Sequence, residues 1–183
     1  MIAAFIDFQG TIGGDGLDNI DKLKLCPYSI EAIKMLNDNK ILVIGITGQS
    51  GIEKGKLSMD DYEAHLKRLE DELDEHDAFI DAVYCCPHHL TDCDCKKPKR
   101  GMIDMALQRF DIDIEKSFVV GDMGDADMLL AKNIGAKAIL VLTGVGKGSL
   151  GAFRDKWANF DPDFIAENIL HAANFILTSL GSS

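Results

Sequence analysis

Apolar residues along this chain fall into two patterns. Ile2–Ile6, Ile41–Ile46, Ala78–Tyr84, Ser117–Val120 and Ala138–Leu142 are short, almost unbroken apolar runs rich in Ile, Val and Ala. Runs of that kind predict strands buried on both faces. Between them the apolar positions recur at helical spacing. Tyr28–Asn37 carries Ile30, Ile33, Met35 and Leu36, and Asp60–Glu75 carries Tyr62, Leu66, Leu69 and Leu73 on an otherwise charged segment. Met102–Phe110, Ala126–Asn133 and Pro162–Leu180 also read as helices. Strands alternating with helices predict an α/β fold: three layers, Rossmann-like, with a parallel sheet covered by helices on both faces. Residues 1–183 suffice for a single domain. The connections after the first and second strands are too short for a large cap domain, so a site there would be open or roofed by loops.

Composition narrows the function. The formal net charge of −11 argues against nucleic acid as a general partner. It leaves room for a small anionic substrate, because a bound metal and nearby lysines can outweigh a distant field. No apolar run reaches the length of a membrane span, and the N-terminus lacks a basic region followed by a long apolar stretch. A cytoplasmic location is the expectation. Of the five cysteines, four lie between Cys85 and Cys95, a clustering that favours a metal over disulfides in such a chain.

The candidate chemistry sits at strand ends. The first strand delivers Asp7 and then turns through Gln9, Gly10 and Thr11. A carboxylate at the C-terminal end of a parallel strand lies where open α/β sheets bind ligands. The second strand ends in Thr47-Gly48-Gln49, where a hydroxyl and backbone N–H groups can hold a phosphate oxygen. Lys96 and Lys97 stand just before a helix and can neutralise charge on a phosphoryl group. The fourth strand ends in Asp122, with Asp125 and Asp127 close behind, and one or two carboxylates plus phosphate suffice for Mg²⁺. Cys86, His88, Cys93 and Cys95 supply Cys-x-His and Cys-x-Cys pairs suited to a tetrahedral structural Zn²⁺, with Cys85 and His89 as spare donors.

These segments resemble, in order, the motifs of the haloacid dehalogenase (HAD) phosphohydrolases. FIDFQGTI is similar to the family's Asp-x-Asp-x-Thr, ITGQSGI to the VTNQSGI of its histidinol-phosphate and heptose-bisphosphate phosphatases, and CKKPKRGM to their CRKPKPGM. The resemblance implies a Mg²⁺-dependent phosphomonoesterase of a small phosphorylated metabolite, such as a sugar phosphate, working through an aspartyl-phosphate. It implies Asp7 as nucleophile, and Thr11, Thr47, Gly48, Gln49, Lys96 and Lys97 around substrate and phosphate. It further implies Mg²⁺ on Asp7, the Gln9 carbonyl and Asp122, with Asp127 supporting the ion's waters and Asp125 as the alternative to Asp127. The loop 86–95 resembles the zinc loop of the heptose-bisphosphate branch, with Cys86, His88, Cys93 and Cys95 as ligands. Three departures stand out: Gln9 where the family has its second acid, Gly48 where the branch has Asn, and Lys96 where it has Arg. A neutral amide transfers no proton. The sequence therefore also admits a protein that binds a phosphorylated ligand or a protein partner without turnover, or a phosphotransferase.

Overall fold

The computed structural model describes residues 1–16 and 20–181. Its centre is a six-stranded parallel sheet made of β1 (Ala3–Ile6), β2 (Leu42–Gly48), β3 (Ala82–Cys86), β4 (Phe118–Gly121), β5 (Lys137–Val141) and β6 (Phe164–Ala166), in the order β3-β2-β1-β4-β5-β6. Helices α1 (Pro27–Asp38), α2 (Met59–Asp74), α3 (Gly101–Arg109), α4 (Leu129–Ile134), α5 (Gly146–Leu150) and α6 (Ile169–Gly181) connect or follow them.

Alternation along the strands builds two cores. Ala4 and Ile6 of β1, Val43 of β2 and Val120 of β4 pack with Ala32, Ile33 and Leu36 of α1 and with Ile169, Ala172 and Ile176 of α6. Ala3 and Phe5, Ile44 and Val119 point the other way, onto Met102, Ile103 and Ala106 of α3 and Leu130 and Ala131 of α4. Both faces are thereby covered, which is why the strands read as continuous apolar runs.

The structure corrects three element boundaries. The third strand begins at Ala82, later than the apolar run beginning at Ala78, because Ala78–Ile80 follow a turn at Asp77, whose φ is 54°. Asp81 then binds back to Val43, its carboxylate accepting from the Val43 N–H at 2.8 Å. Pro162–Leu180 is not one helix: Phe164–Ala166 pairs with β5 as a sixth strand, and α6 starts at Ile169, where the Asn168 side chain accepts from the His171 N–H at 3.1 Å. Ala126–Asn133 divides into a wide π turn, Gly124–Met128, and a short α4.

The order of the strands decides where a ligand can bind. The chain runs outward from β1 to β2 and β3, then crosses back to lay β4 on the other side of β1. A crevice opens at the carboxyl ends of β1 and β4, at the reversal point where open α/β sheets bind ligands. Among the described residues no helix is long and apolar enough to cross a membrane.

Candidate active site

Register places the first two acids side by side. Ile6 of β1 pairs with Val120 of β4, and the Asp7 N–H donates to the Val120 carbonyl at 3.0 Å. Asp7 is thus level with Gly121, and Asp122 follows one residue on at the same end of the neighbouring strand. Asp127 joins them from the π turn, where its Oδ2 accepts from the Met123 N–H at 3.0 Å. One oxygen from each of the three carboxylates lies within 4.8 Å of the others, and all three residues are buried. Asp125 is only half-buried and pairs with Lys156 at 3.6 Å, outside this group.

Two glycines make room for the cluster. Gly121 has no side chain, and a Cβ there would occupy the space of the Asp127 carboxylate. Gly144, in the left-handed region at φ 54°, sits where a Cβ would strike both Asp122 Oδ2 and the backbone of Gly10.

Lys97 closes the cluster. Its ammonium donates to Asp7 Oδ1 and Asp127 Oδ1, each at 2.7 Å, and to the Ile46 carbonyl at 3.1 Å. One cation among three buried acids leaves a surplus of negative charge, and the titration of the acids follows. Burial pushes Asp7 up to about 6, with Lys97 pulling down and Asp127 pushing up. Burial, then the charges of Asp7 and Asp127, push Asp122 up to about 8. Burial alone would lower Lys97, but Asp127 and Asp7 outweigh it and hold the ammonium above its ordinary range. Asp122 Oδ2 accepts from the Val145 N–H at 2.8 Å, while its buried Oδ1 has no partner among the described residues. An orphaned carboxyl oxygen in an all-oxygen cluster of acids fits a hard divalent cation.

The other residues expected at the site divide into those facing a cleft and those behind it. A cleft of about 480 Å³ is lined in part by Gly48, Ser50, His89, Lys96, Lys97 and Met123. Gly48 is exposed with open space where a Cβ would stand, and Lys96 donates to the His89 carbonyl at 3.0 Å. Thr11, Thr47 and Gln49 are buried behind it. The Thr11 hydroxyl lies 3.5 Å from Asp7 Oδ2. Gln49 donates to the Thr47 hydroxyl at 2.9 Å, and that hydroxyl donates to Gln9 Oε1 at 3.1 Å. His89, a spare metal donor by sequence, lines the cleft.

The soft donors form a second cluster. Cys86 Sγ lies 3.0 Å from Cys95 Sγ and 3.8 Å from Cys93 Sγ, and His88 Nδ1 lies 3.2 Å from Cys95 Sγ. All four donors fall within 4.8 Å of one another. Burial raises Cys86 and Cys95; in Cys93 that effect is outweighed by hydrogen bonds, first from the Lys96 N–H, and its thiol drops to about 7. Cys85 is not in the cluster.

Sequence reasoning missed the supports. The Ser149 hydroxyl donates to the Asp122 carbonyl at 2.7 Å and accepts from the Gly124 N–H at 3.2 Å, and Thr143 donates to the Gly10 carbonyl at 2.6 Å. Their signal was the Gly-rich segment after the β5 run, which follows a strand end of the same sheet. Glu53 was also missed. Its carboxylate accepts from the backbone N–H groups of His89, Leu90 and Thr91 and from the Thr91 hydroxyl, which hold it down to about 2.

Known proteins resemble this chain. Over 152 residues the chain is 36% identical to the D-glycero-beta-D-manno-heptose-1,7-bisphosphate 7-phosphatase of Pasteurella multocida, covering 78% of this chain and 82% of that protein. The chain belongs to this phosphatase family of HAD-like hydrolases. The Escherichia coli K12 family member is 33% identical over 153 residues, covering 78% of this chain and 80% of its own length. The HAD-hydrolase-like family model matches residues 94–172, the part that carries Lys97, Asp122 and Asp127. Among solved structures, the D,D-heptose 1,7-bisphosphate phosphatase from B. bronchiseptica, complexed with magnesium and phosphate, superimposes with a TM-score of 0.87 at 26% identity, covering 98% of this chain and 99% of that one.

Proposed function

We propose that this chain is a Mg²⁺-dependent phosphohydrolase of a small phosphorylated metabolite, a sugar phosphate as in its named relatives, with Asp7 as the nucleophile. The observation that carries the reading is the convergence of Asp7, Asp122, Asp127 and Lys97 at the strand reversal point, with Asp122 Oδ1 left unpaired. Asp7, Asp122 and Asp127 are the residues that would hold the ion. Magnesium, when bound, supplies charge neutralisation for the phosphoryl group and for the acids around it.

The chain's own groups do the rest. The Asp7 carboxylate attacks phosphorus in line. Thr11 holds one of its oxygens and Lys97 the other, so the nucleophile is aimed before substrate arrives. Lys97, on the cleft wall, carries the positive charge for the transferring group. Thr47 orients Gln9. Gly48 leaves the mouth of the cleft open for the body of the substrate, beside Lys96 and His89.

Cys86, His88, Cys93 and Cys95 are read as a structural Zn²⁺ site. Bonds of about 2.3 Å to a tetrahedral ion put two sulfurs about 3.8 Å apart, and Cys86 and Cys93 stand 3.8 Å apart. The ion would fasten the loop that leads directly into Lys96 and Lys97.

The test is phosphate release from a panel of sugar phosphates, with and without Mg²⁺. Release that needs the ion and disappears in Asp7→Asn supports the reading. Release that persists in Asp7→Asn refutes it.

A further inference from the structure

Gln9 is 6% exposed, and its amide is held by a one-way chain of hydrogen bonds. The Ile20 N–H donates to Gln49 Oε1 at 3.3 Å, Gln49 Nε2 donates to the Thr47 hydroxyl, and Thr47 donates to Gln9 Oε1. Each donor in the chain faces an acceptor, which favours the Gln9 amide with Oε1 on Thr47. Its Nε2 is the free end, buried and without a partner among the described residues. A buried donor left unpaired is costly, and Gln9 stands two residues from Asp7, within reach of a group held at the nucleophile.

That donor gives a hydrogen bond and no proton. On the cleft wall the Asp125 carboxyl pairs with Lys156 at 3.6 Å, and of the lysines and histidines there all but one are already committed. Lys97 places its ammonium on three acceptors, Lys96 donates to the His89 carbonyl, and His88 sits among the thiols. The exception is the imidazole of His89.

We infer that this chain takes phosphoryl groups carried on oxygens that are already acidic, acyl phosphates foremost, and leaves phosphate esters of simple alcohols nearly untouched. In the first step an Asp7 oxygen forms a bond to phosphorus as the bond from phosphorus to the leaving oxygen breaks, and the electron pair departs on that oxygen. A carboxylate leaves as a stable anion with Gln9 Nε2 hydrogen-bonded to it. An alkoxide needs a proton that the amide does not have. In the second step water attacks phosphorus, Asp7 is released as carboxylate, and the water's surplus proton passes to solvent. For a sugar phosphate the same rule ranks the anomeric position, whose oxygen is the more acidic, above a primary alcohol. This inference rests on the phosphohydrolase reading and narrows its substrate.

The experiment compares kcat/KM of the full chain, with Mg²⁺, on acetyl phosphate, 4-nitrophenyl phosphate, phenyl phosphate and glycerol phosphate. The expected result is a steep fall along that series as the leaving oxygen becomes more basic. Gln9→Asp is expected to raise the ratio of glycerol phosphate to acetyl phosphate turnover by about 100- to 10,000-fold, the usual contribution of a positioned acid. Equal turnover of alkyl and acyl substrates by the wild type overturns the inference and leaves the phosphohydrolase reading intact. Alkyl turnover that collapses in His89→Gln also overturns it, by naming His89 as the acid. Release from none of the substrates overturns both readings.

Discussion

Lys97 and Asp7 are ninety residues apart in sequence, yet the lysine ammonium lies 2.7 Å from the Asp7 carboxylate with both side chains about nine-tenths buried. The same ammonium reaches Asp127, which is fully buried. Removing one partner from a buried pair costs about 3–5 kcal/mol. Lys97→Met is therefore expected to lower the melting temperature and to abolish phosphate release. A melt by circular dichroism beside an activity assay checks both, and an unchanged melt would deny the pair its place in the fold.

Asp122 carries the opposite sign. A raised carboxylate binds protons more tightly in the folded chain than in the unfolded one, so its ionisation opposes folding. Asp122→Asn keeps the acceptor for the Val145 N–H and removes the charge. It is expected to raise the melting temperature of the metal-free protein by about 2–4 °C for each kcal/mol recovered, and to remove Mg²⁺-dependent activity. Calorimetry in a chelator, paired with the activity assay, reads both effects.

The same sign sets a pH dependence. Asp7 and Asp122 are pushed up to about 6 and about 8 in the folded chain, above the ordinary carboxylate value of 3.8. Where the folded state binds more protons, stability falls as pH rises. The metal-free protein is expected to be most stable at about pH 4 and to lose stability progressively to about pH 8, as the two acids ionise. Magnesium is expected to bind in step with that loss, so its stabilising shift should grow across the window. Melts at several pH values, with and without the ion, test this; a shift that does not change with pH contradicts it.

Much of the fold was legible in the sequence, and the physical reason is burial. Strands covered on both faces must be apolar throughout, so β1, β2, β4 and β5 stood out. β6 did not: Phe164–Ala166 is an edge strand with Ile165 exposed, and its pairing to β5 is visible only in three dimensions. Asp7, Asp122 and Lys97 were legible because each follows a strand end or precedes a helix in a recognisable order. Ser149, Thr143 and Glu53 were not, because each acts on a backbone group of a distant segment, and only the Gly-rich stretch after β5 pointed to the first two. Gln49, expected around the phosphate, turns its side-chain amide to the Thr47 hydroxyl, a contact that spacing does not reveal.

Glu53 offers a prediction on that hidden layer. Its carboxylate gathers the backbone N–H groups of His89, Leu90 and Thr91, and its own N–H donates to the Pro87 carbonyl at 3.2 Å. It thus tethers the stretch between His88 and Cys93. Glu53→Ala is expected to speed loss of metal from the thiol cluster and to raise KM more than it lowers kcat, because the cleft wall at His89 and Lys96 loses its anchor. Metal content after dialysis against a chelator and steady-state kinetics separate this from simple unfolding. Unaltered retention and KM would leave Glu53 without a role in the loop.

The most direct measurement is chemical trapping on Asp7. The protein is mixed with Mg²⁺ and acetyl phosphate, quenched in acid within a turnover, digested and read by mass spectrometry. A phosphoryl group on the peptide containing Asp7, absent in Asp7→Asn, is the expected result. Phosphate released at full rate by Asp7→Asn, or a phosphoryl group found on some other residue, would contradict the account.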